Sequence, residues 1–137
     1  MKLSQDAVFP QKAHEDDAGY DLFANACVTI PQGETRLLPT GIALALPNGM
    51  EAQIRPRSGL ALHDQITVLN TPGTIDAGYR GEIGVILINH GNKDFEVSKG
   101  MKIAQMVFAR VLDTRLVEAD NLDGTARGGG GFGSTGG

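Results

Sequence analysis

The C-terminal eleven residues combine many glycines with a few side chains suited to an anionic ligand. Seven of residues 127–137 are glycine, and Arg127, Phe132, Ser134 and Thr135 interrupt the run. Glycine lets backbone N–H groups converge on an anion, arginine forms paired hydrogen bonds with phosphate, and an aromatic ring stacks on a base. Composition alone favours a disordered end. The exceptions favour an arm that orders only over a nucleoside phosphate, because ordering costs about 1–2 kcal/mol per residue.

A second candidate for phosphate binding is the segment from Pro56 to Ala61, which contains Arg57, Ser58 and Gly59. It follows a predicted strand and precedes a short predicted helix, for which Ser58 is the expected N-cap. The start of a helix offers unpaired N–H groups to an anion, and Arg57 adds positive charge. The alternative is an ordinary exposed turn.

The segment 70–82 is rich in turn residues and carries the amide of Asn70, the carboxylate of Asp76 and the phenol of Tyr79. A carboxylate is ionised at neutral pH and can orient and deprotonate a water molecule that attacks phosphorus. Asp76 is therefore the candidate general base. The alternative is an Asx turn beside a tyrosine packed on a sheet.

Two further polar residues stand in strand-like surroundings. Asp21 is either a solvated turn acid or a carboxylate that holds a hydrated magnesium ion, since Mg²⁺ keeps several waters and one carboxylate is enough. Gln105 interrupts an apolar strand, so its amide needs a partner, which is either a phosphate oxygen or a backbone group.

The elements that must position these residues are short strands. The segment 50–55 alternates apolar and polar residues, which is typical of a strand with one solvent-exposed face. The other predicted strands lie between turn residues, at 27–30, 34–38, 41–46, 65–69, 84–89, 95–97 and 103–111. The only predicted helix runs from Ser58 to about His63. The pattern predicts a single all-β domain, built as a sandwich, jelly roll or barrel.

Composition narrows the function further. A formal net charge of −4 opposes binding to long nucleic acid, which needs basic surfaces. Cys27 is the single cysteine, and His14, His63 and His90 lack the spacing of metal ligands, so these four residues are interpreted as structural. No apolar stretch is typical of a signal peptide or a membrane span. We expect a soluble, intracellular, cytoplasmic protein without membrane or nucleic-acid partners.

Five ordered segments between residues 18 and 136 resemble the conserved motifs of the trimeric deoxyuridine triphosphatase (dUTPase) family. They are Ala-Gly-Tyr-Asp-Leu at 18–22, Pro-Arg-Ser-Gly-Leu-Ala at 56–61, Gly-Thr-Ile-Asp-Ala-Gly-Tyr-Arg-Gly-Glu at 73–82, Gly-Met-Lys-Ile-Ala-Gln at 100–105 and Arg-Gly-Gly-Gly-Gly-Phe-Gly-Ser-Thr-Gly at 127–136. Any one of them is weak evidence alone. Their order and spacing make the match specific.

The resemblance implies a jelly-roll-like β-barrel over residues 1–121, followed by a glycine-rich C-terminal arm over 122–137. It implies a homotrimer whose active sites are each assembled from three chains. The activity implied is magnesium-dependent hydrolysis of dUTP to dUMP and pyrophosphate by water attack on the α-phosphorus. This reaction limits uracil incorporation into DNA and supplies dUMP for thymidylate synthesis.

The resemblance also implies a role for each matching residue. One chain binds the phosphates, a second binds uracil and deoxyribose, and a third closes its arm, with Asp21 holding Mg²⁺ through water. Asp76 activates the water, with Gln105 and Ser58 as further catalytic residues. The implied substrate-binding residues are Arg57, Ser58, Gly59 and Gln105 of the first chain, Asn70, Gly73, Thr74, Ile75, Asp76 and Tyr79 of the second, and Arg127, Phe132, Gly133, Ser134 and Thr135 of the third.

Some positions depart from the family pattern, and two other functions stay open. Asp17 replaces a frequent serine, Thr71 a common alanine, and Met101-Lys102 a frequent acidic–basic pair, which leaves the use of Lys102 undetermined. A dCTP deaminase, alone or bifunctional with a diphosphatase, shares the implied fold but usually has an Arg-Ser-Ser motif. A catalytically silent nucleotide sensor would need neither Asp76 nor Asp21.

Overall fold

Short antiparallel strands make up nearly all the regular structure of the chain, as its composition and alternation predict. The computed structural model describes residues 1–131, and residues 132–137 lie outside the described part. One π-helical turn spans Leu60–Asp64. The strands are β1 Gly19–Phe23, β2 Val28–Ile30, β3 Thr35–Ala43, β4 Met50–Arg55, β5 Ile66–Val68, β6 Gly73–Ile75, β7 Glu82–Asn89, β8 Phe95–Val97 and β9 Lys102–Arg110.

The strands form two principal sheets and one two-stranded pair. The first sheet has the order β1-β9-β4-β6, the second has the order β3-β7-β5, and β2 pairs with β8. Neighbours in both sheets are distant in sequence, which is expected when a β-sandwich or jelly roll closes around one core. The all-β prediction is confirmed.

The core lies between the inner faces of these sheets. Along β7, Ile83, Val85 and Leu87 are buried, and the residues between them are more exposed. On the first sheet, Ile54 of β4 and Met106 of β9 are buried in the same cluster. The period-two pattern therefore fixes which side chains face outward, and the outward set of the first sheet includes Gln105 and its cross-strand partners Asp21 and Arg55.

The strand predictions are wrong at three places. Predicted strands 34–38 and 41–46 form one strand, β3, which continues through Pro39 and Gly41 with a register shift before Ala43. Gly41 has φ +68, and an added Cβ would lie 2.7 Å from Ala7 Cβ, so glycine here allows a bulge rather than a turn. Strands β1 and β6 were not among the predicted strands, because turn residues surround both of them.

The predicted helix is real but differs in type and in its N-terminal cap. The turn Leu60–Asp64 is π-helical, and Gly59 precedes it without any side-chain cap hydrogen bond. The prediction that Ser58 caps this helix is therefore wrong. The turn ends at Gln65, which has φ 58 and donates its backbone N–H to the carbonyl of Leu60.

Beyond β9 the chain leaves the sheets. Residues 111–129 are all exposed and form no strand or helix. Several large apolar side chains in this stretch face solvent, with exposed fractions of 80% for Leu112, 97% for Leu116 and 91% for Leu122. Within residues 1–131, no helix is long and apolar enough to cross a membrane.

Candidate active site

A cavity of about 400 Å³ lies at the end of β4, and we call it the basic cavity. Three cationic side chains and two carboxylates line it, together with small and polar residues. The lining residues are Ala13, Asp17, Ala18, Gly19, Asp21, Arg55, Arg57, Ser58, Gly59, Lys102, Gln105 and Val107. The structure thus brings together the Arg57-Ser58-Gly59 segment and Gln105, which the resemblance assigned to one chain, and it places Asp21 beside them.

The Asp21 carboxylate is the electrostatic centre of this cavity. Its Oδ1 lies 3.3 Å from Arg57 Nε, and its Oδ2 lies 2.7 Å from Lys102 Nζ. Only 13% of the Asp21 side chain is exposed, and a buried charge is tolerated when it is paired in this way. Arg57 also donates from Nη1 to the Lys102 carbonyl at 3.2 Å, which ties the three residues together.

Strand register explains why these residues meet. Gln105 of β9 lies between Asp21 of β1 and Arg55 of β4 in the paired strands. Its amide Nε2 donates to the Pro56 carbonyl at 3.0 Å, so Gln105 holds the start of the segment that carries Arg57. The sequence left two possible partners for the Gln105 amide, a phosphate oxygen or a backbone group. In the structure its partner is the backbone carbonyl of Pro56. Its Oε1 points towards Gly19, where an added Cβ would collide with it.

A second cavity, of about 290 Å³, lies beside β6 and the turn that follows it, and we call it the hairpin cavity. It joins Thr74, Ile75, Asp76 and Tyr79 to outward-facing residues of the second sheet. The lining residues are Leu37, Thr74, Ile75, Asp76, Tyr79, Glu82, Gly84 and Ile86. It is more apolar than the basic cavity, which suits a flat nucleoside more than a phosphate chain.

The turn from Asp76 to Glu82 is held by its own hydrogen bonds. The Tyr79 backbone N–H donates to the Asp76 carbonyl at 3.0 Å, and the Tyr79 hydroxyl donates to the Glu82 carbonyl at 2.8 Å. The Glu82 carboxylate in turn accepts from the Gly41 N–H at 2.6 Å, which fastens the turn to β3. The Asp76 side chain is exposed, and no hydrogen bond from another part of residues 1–131 occupies its carboxylate.

Asn70 and Gly73 lie at the other end of β6 from Asp76. Gly73 is buried and pairs with Ile54 of β4. The Asn70 amide packs over Gly73, because an added Cβ there would lie 3.1 Å from Asn70 Nδ2. Asn70 itself is exposed, so its amide is accessible to a ligand.

The two cavities share no lining residue. Ile75 pairs with Ala52, which places Asp76 at the level of Glu51, whereas Arg57 lies beyond Arg55 at the far end of β4. The four-residue step from Glu51 to Arg55 spans roughly 13 Å at the usual strand rise. One chain therefore holds the two predicted halves of the site apart.

Arg127 does not reach either cavity in the single chain. Its Nε donates to the Gly130 carbonyl at 2.9 Å within an exposed turn, and Gly128 in that turn has φ 49. The predicted arm residues Phe132, Gly133, Ser134 and Thr135 lie outside the described residues.

Four charged residues of these cavities were not predicted as site residues, and Asp17 in the lining of the basic cavity is one of them. Lys102 pairs with Asp21, Arg55 lines the basic cavity, and Glu82 lines the hairpin cavity. Period-two alternation was the available signal for Arg55, since it extends the polar face of β4 through Glu51 and Gln53. No local signal could have paired Lys102 with Asp21, because that contact depends on the register of β1 and β9.

The basic cavity suits a magnesium ion that is bound mainly by water and phosphate. No group of three or more His, Cys, Asp or Glu side chains capable of holding a metal is present in residues 1–131. Asp21 instead offers one carboxylate beside cations that attract phosphate. This donor set fits Mg²⁺ that keeps its hydration shell, and it does not fit an all-protein cage.

Comparison with known proteins identifies the family. The dUTPase family model matches residues 5–136, almost the whole chain. The chain belongs to the dUTPase family. It is therefore an enzyme, a nucleotide hydrolase, and the resemblance drawn from the five segments is confirmed.

Relatives with curated names agree with membership of the dUTPase family. The chain is 63% identical to the deoxyuridine 5′-triphosphate nucleotidohydrolase of Gloeothece citriformis over 135 residues, covering 98% of this chain and 93% of the relative. It is 58% identical to the enzyme of the same name from Clostridioides difficile, covering 98% and 94% of the two chains.

The fold of this dUTPase family member also matches solved structures. The dUTPase of Staphylococcus bacteriophage 80alpha in complex with dUPNHPP has a TM-score of 0.92 at 26% identity, with 99% of this chain and 96% of that chain covered. The all-β architecture described above is thus that of a dUTPase.

Proposed function

We propose that this enzyme hydrolyses dUTP to dUMP and pyrophosphate by attack of water on the α-phosphorus. The oxygen of water forms the new bond to phosphorus, and the bond from the α-phosphorus to the bridging oxygen of the β-phosphate breaks. The observation that carries the proposal is the pairing of a basic cavity with a carboxylate-bearing hairpin cavity on a dUTPase scaffold. The phage 80alpha relative that binds a dUTP analogue supports the choice of substrate.

The basic cavity would receive the phosphate chain. Arg57 is suited to bidentate contacts with phosphate, while Ser58 and Gly59 are exposed beside it at the cavity wall. Gln105 fixes the Pro56 carbonyl and so places this segment. Phosphoryl transfer depends mostly on positioning and electrostatic stabilisation, so no covalent nucleophile is needed.

The nucleoside would lie along β6, with its sugar at the hairpin cavity and its base towards Asn70. Asp76 would hold the deoxyribose 3′-hydroxyl and accept the proton of the attacking water, because its carboxylate is accessible and free of protein partners in residues 1–131. Tyr79 would pack under the sugar and exclude a ribose 2′-hydroxyl. Asn70 and nearby backbone groups, from Gly73 to Ile75, would pair with the uracil edge and leave no room for the methyl group of thymine.

Each active site would combine residues of different chains in a homotrimer. The separation of the basic and hairpin cavities within one chain supports this arrangement, because one nucleotide must contact both. The exposed apolar residues after β9 also support it, since Leu112, Leu116 and Leu122 gain burial only against another surface. Residues 122–137 would be the arm that closes over the site of a neighbouring chain, with Arg127, Phe132, Gly133, Ser134 and Thr135 as its ligand contacts.

Magnesium would be held by the phosphates and, through water, by Asp21. When bound, Mg²⁺ neutralises charge on the phosphate chain and fixes its orientation. Arg57 and Lys102 position the Asp21 carboxylate, which is the contribution of the chain itself.

A pyrophosphate-release assay with dUTP, dTTP, dCTP and UTP, each with and without magnesium, tests this function. We expect release from dUTP with magnesium and strongly reduced release in every other combination. Equal rates with dTTP or UTP would contradict the proposed recognition of base or sugar. Ammonia release from dCTP would support the deaminase instead, and binding of dUTP without hydrolysis would support the silent sensor.

A further inference from the structure

Lys102 contacts the carboxylate of Asp21, to which the proposed magnesium ion would also bind through water. Its Nζ lies 2.7 Å from Asp21 Oδ2, while Arg57 Nε is 3.3 Å from the other carboxylate oxygen. Both oxygens of the carboxylate proposed to hold hydrated magnesium are therefore engaged by protein cations. Water bound to magnesium can use Asp21 only if one of these ion pairs is shared or given up.

We propose that Lys102 is a replaceable counter-ion: it neutralises Asp21 in the metal-free site, and magnesium-bound triphosphate takes its place. The released ammonium is then available to the phosphate chain in the same cavity. The inference rests on the proposed function and assigns a positioning role to a residue whose use the sequence left undetermined.

The contacts explain why Lys102, and not Arg57, is the partner that is replaced. Arg57 has a second anchor, because its Nη1 donates to the Lys102 carbonyl at 3.2 Å. Among residues 1–131 the Lys102 ammonium has one hydrogen-bonding or ion-pair partner, Asp21, and its side chain is more exposed, at 41% against 34% for Arg57. A compact ammonium on a flexible stem also changes partner with less loss of geometry than a planar guanidinium does.

The charge of the cavity couples the presence of Lys102 to the effect of magnesium on triphosphate binding. Three cations, Arg55, Arg57 and Lys102, face the two carboxylates Asp17 and Asp21, so the cavity carries a single excess positive charge. Without Lys102 this excess positive charge disappears. Arg57 is then the one cation paired with Asp21, so the negative carboxylate repels a metal-free triphosphate more strongly. Magnesium supplies the missing charge, so loss of Lys102 should make binding more dependent on magnesium.

The experiment measures the affinity of the full-length protein for the imido analogue of dUTP by calorimetry, in saturating magnesium and in EDTA. The dissociation constant in EDTA is divided by the dissociation constant in magnesium. This ratio is compared among wild type, Lys102→Met, Lys102→Arg and Asp21→Asn. Lys99→Met is the matched control, because Lys99 lies close in sequence but pairs with Asp6 outside the cavity.

We expect Lys102→Met to raise this ratio by about tenfold, within the usual range of coupling between two sites, and Lys102→Arg to restore it. In Asp21→Asn the ratio should fall, and adding Lys102→Met should no longer change it. Lys102→Met would overturn the inference if it weakened binding by the same factor with and without magnesium, since Lys102 would then be a simple phosphate ligand. Dissociation constants that both stay at their wild-type values in Lys102→Met would also overturn it.

Two measurements distinguish failure of the Lys102 inference from failure of the proposed function and from misfolding of a variant. If wild type does not bind the analogue in either condition, the proposed function fails rather than the role of Lys102. Thermal unfolding of Lys102→Met shows whether the variant is folded, and Lys102→Gln provides a second neutral variant for which the same increase in the ratio is expected.

Discussion

Arg57 and Asp76 lie at opposite ends of β4 and line different cavities of the same chain. One is the best phosphate ligand of the molecule and the other is its best candidate base. A site that uses both within one chain would have to span the length of the strand between them.

Asp76→Asn should bind the imido analogue of dUTP almost as well as wild type does and lose turnover by at least about 100-fold, the usual effect of removing a general base. The carboxylate is exposed, so the substitution should not change the unfolding temperature. Rapid-quench measurement of dUMP formation checks the rate. Turnover close to that of wild type would remove Asp76 as the base.

Truncation after Asn121 should leave the fold intact, because every described strand ends by Arg110. We expect an unchanged unfolding temperature and a loss of hydrolysis of about 100-fold or more, since preorganised phosphate donors would be missing. The full-length Phe132→Ala variant is the control that keeps the arm and removes only the proposed stacking ring. If the truncated enzyme hydrolysed dUTP at the normal rate, residues 122–137 would be a disordered end and not an arm that closes over the site.

Tyr79 should discriminate against ribose through its ring rather than its hydroxyl. The hydroxyl donates to the Glu82 carbonyl, and the side chain is 45% exposed, so Tyr79→Phe should lose about 1 kcal/mol of stability or less. Tyr79→Ala should increase kcat/KM for UTP relative to dUTP, whereas Tyr79→Phe should keep the wild-type preference. Competition assays with both nucleotides measure this ratio, and equal selectivity in all three proteins would exclude the proposed role.

The Asp6–Lys99 pair should give a small acid-dependent contribution to stability. A hydrogen bond from Lys99 and its positive charge lower the pKa of Asp6 below its usual value near 3.8. A depressed carboxyl pKa stabilises the folded state above the unfolded value, and this stabilisation is lost as the pH falls through the folded value. NMR titration should show the Asp6 pKa rising in Lys99→Met but not in the control Lys93→Met. A pKa of Asp6 that stays unchanged in Lys99→Met would mean that the pair does not form in solution.

Much of the fold follows from local sequence patterns. Alternation identified β4, because a strand with one buried face must alternate. Flanking turn residues marked the position of β7. The pattern failed at β3, where Pro39 and Gly41 favour a turn but a bulge keeps the strand continuous. It also failed at β1 and β6, since strands among turn residues are stabilised by pairing with distant partners and not by their own composition.

The candidate site was predicted to a similar extent. Residue chemistry and family resemblance selected Asp21, Arg57 and Gln105, which the fold brings to one cavity. The contact between Lys102 and Asp21 was not predictable, because it depends on the pairing of strands separated by about eighty residues of chain. The family resemblance also implies which chain supplies which half of the site, and that division stays a prediction.

The central claim is that active sites are shared between chains, and complementation tests it most directly. Arg57→Ala and Asp76→Asn are purified separately, unfolded together in equal amounts, refolded and assayed for dUTP hydrolysis, beside each variant refolded alone. Shared sites predict recovery to roughly one quarter of wild-type activity, because random mixing in a symmetric trimer restores both residues in that fraction of sites. No activity above that of the separate variants would contradict the account, since each chain would then carry a complete site of its own.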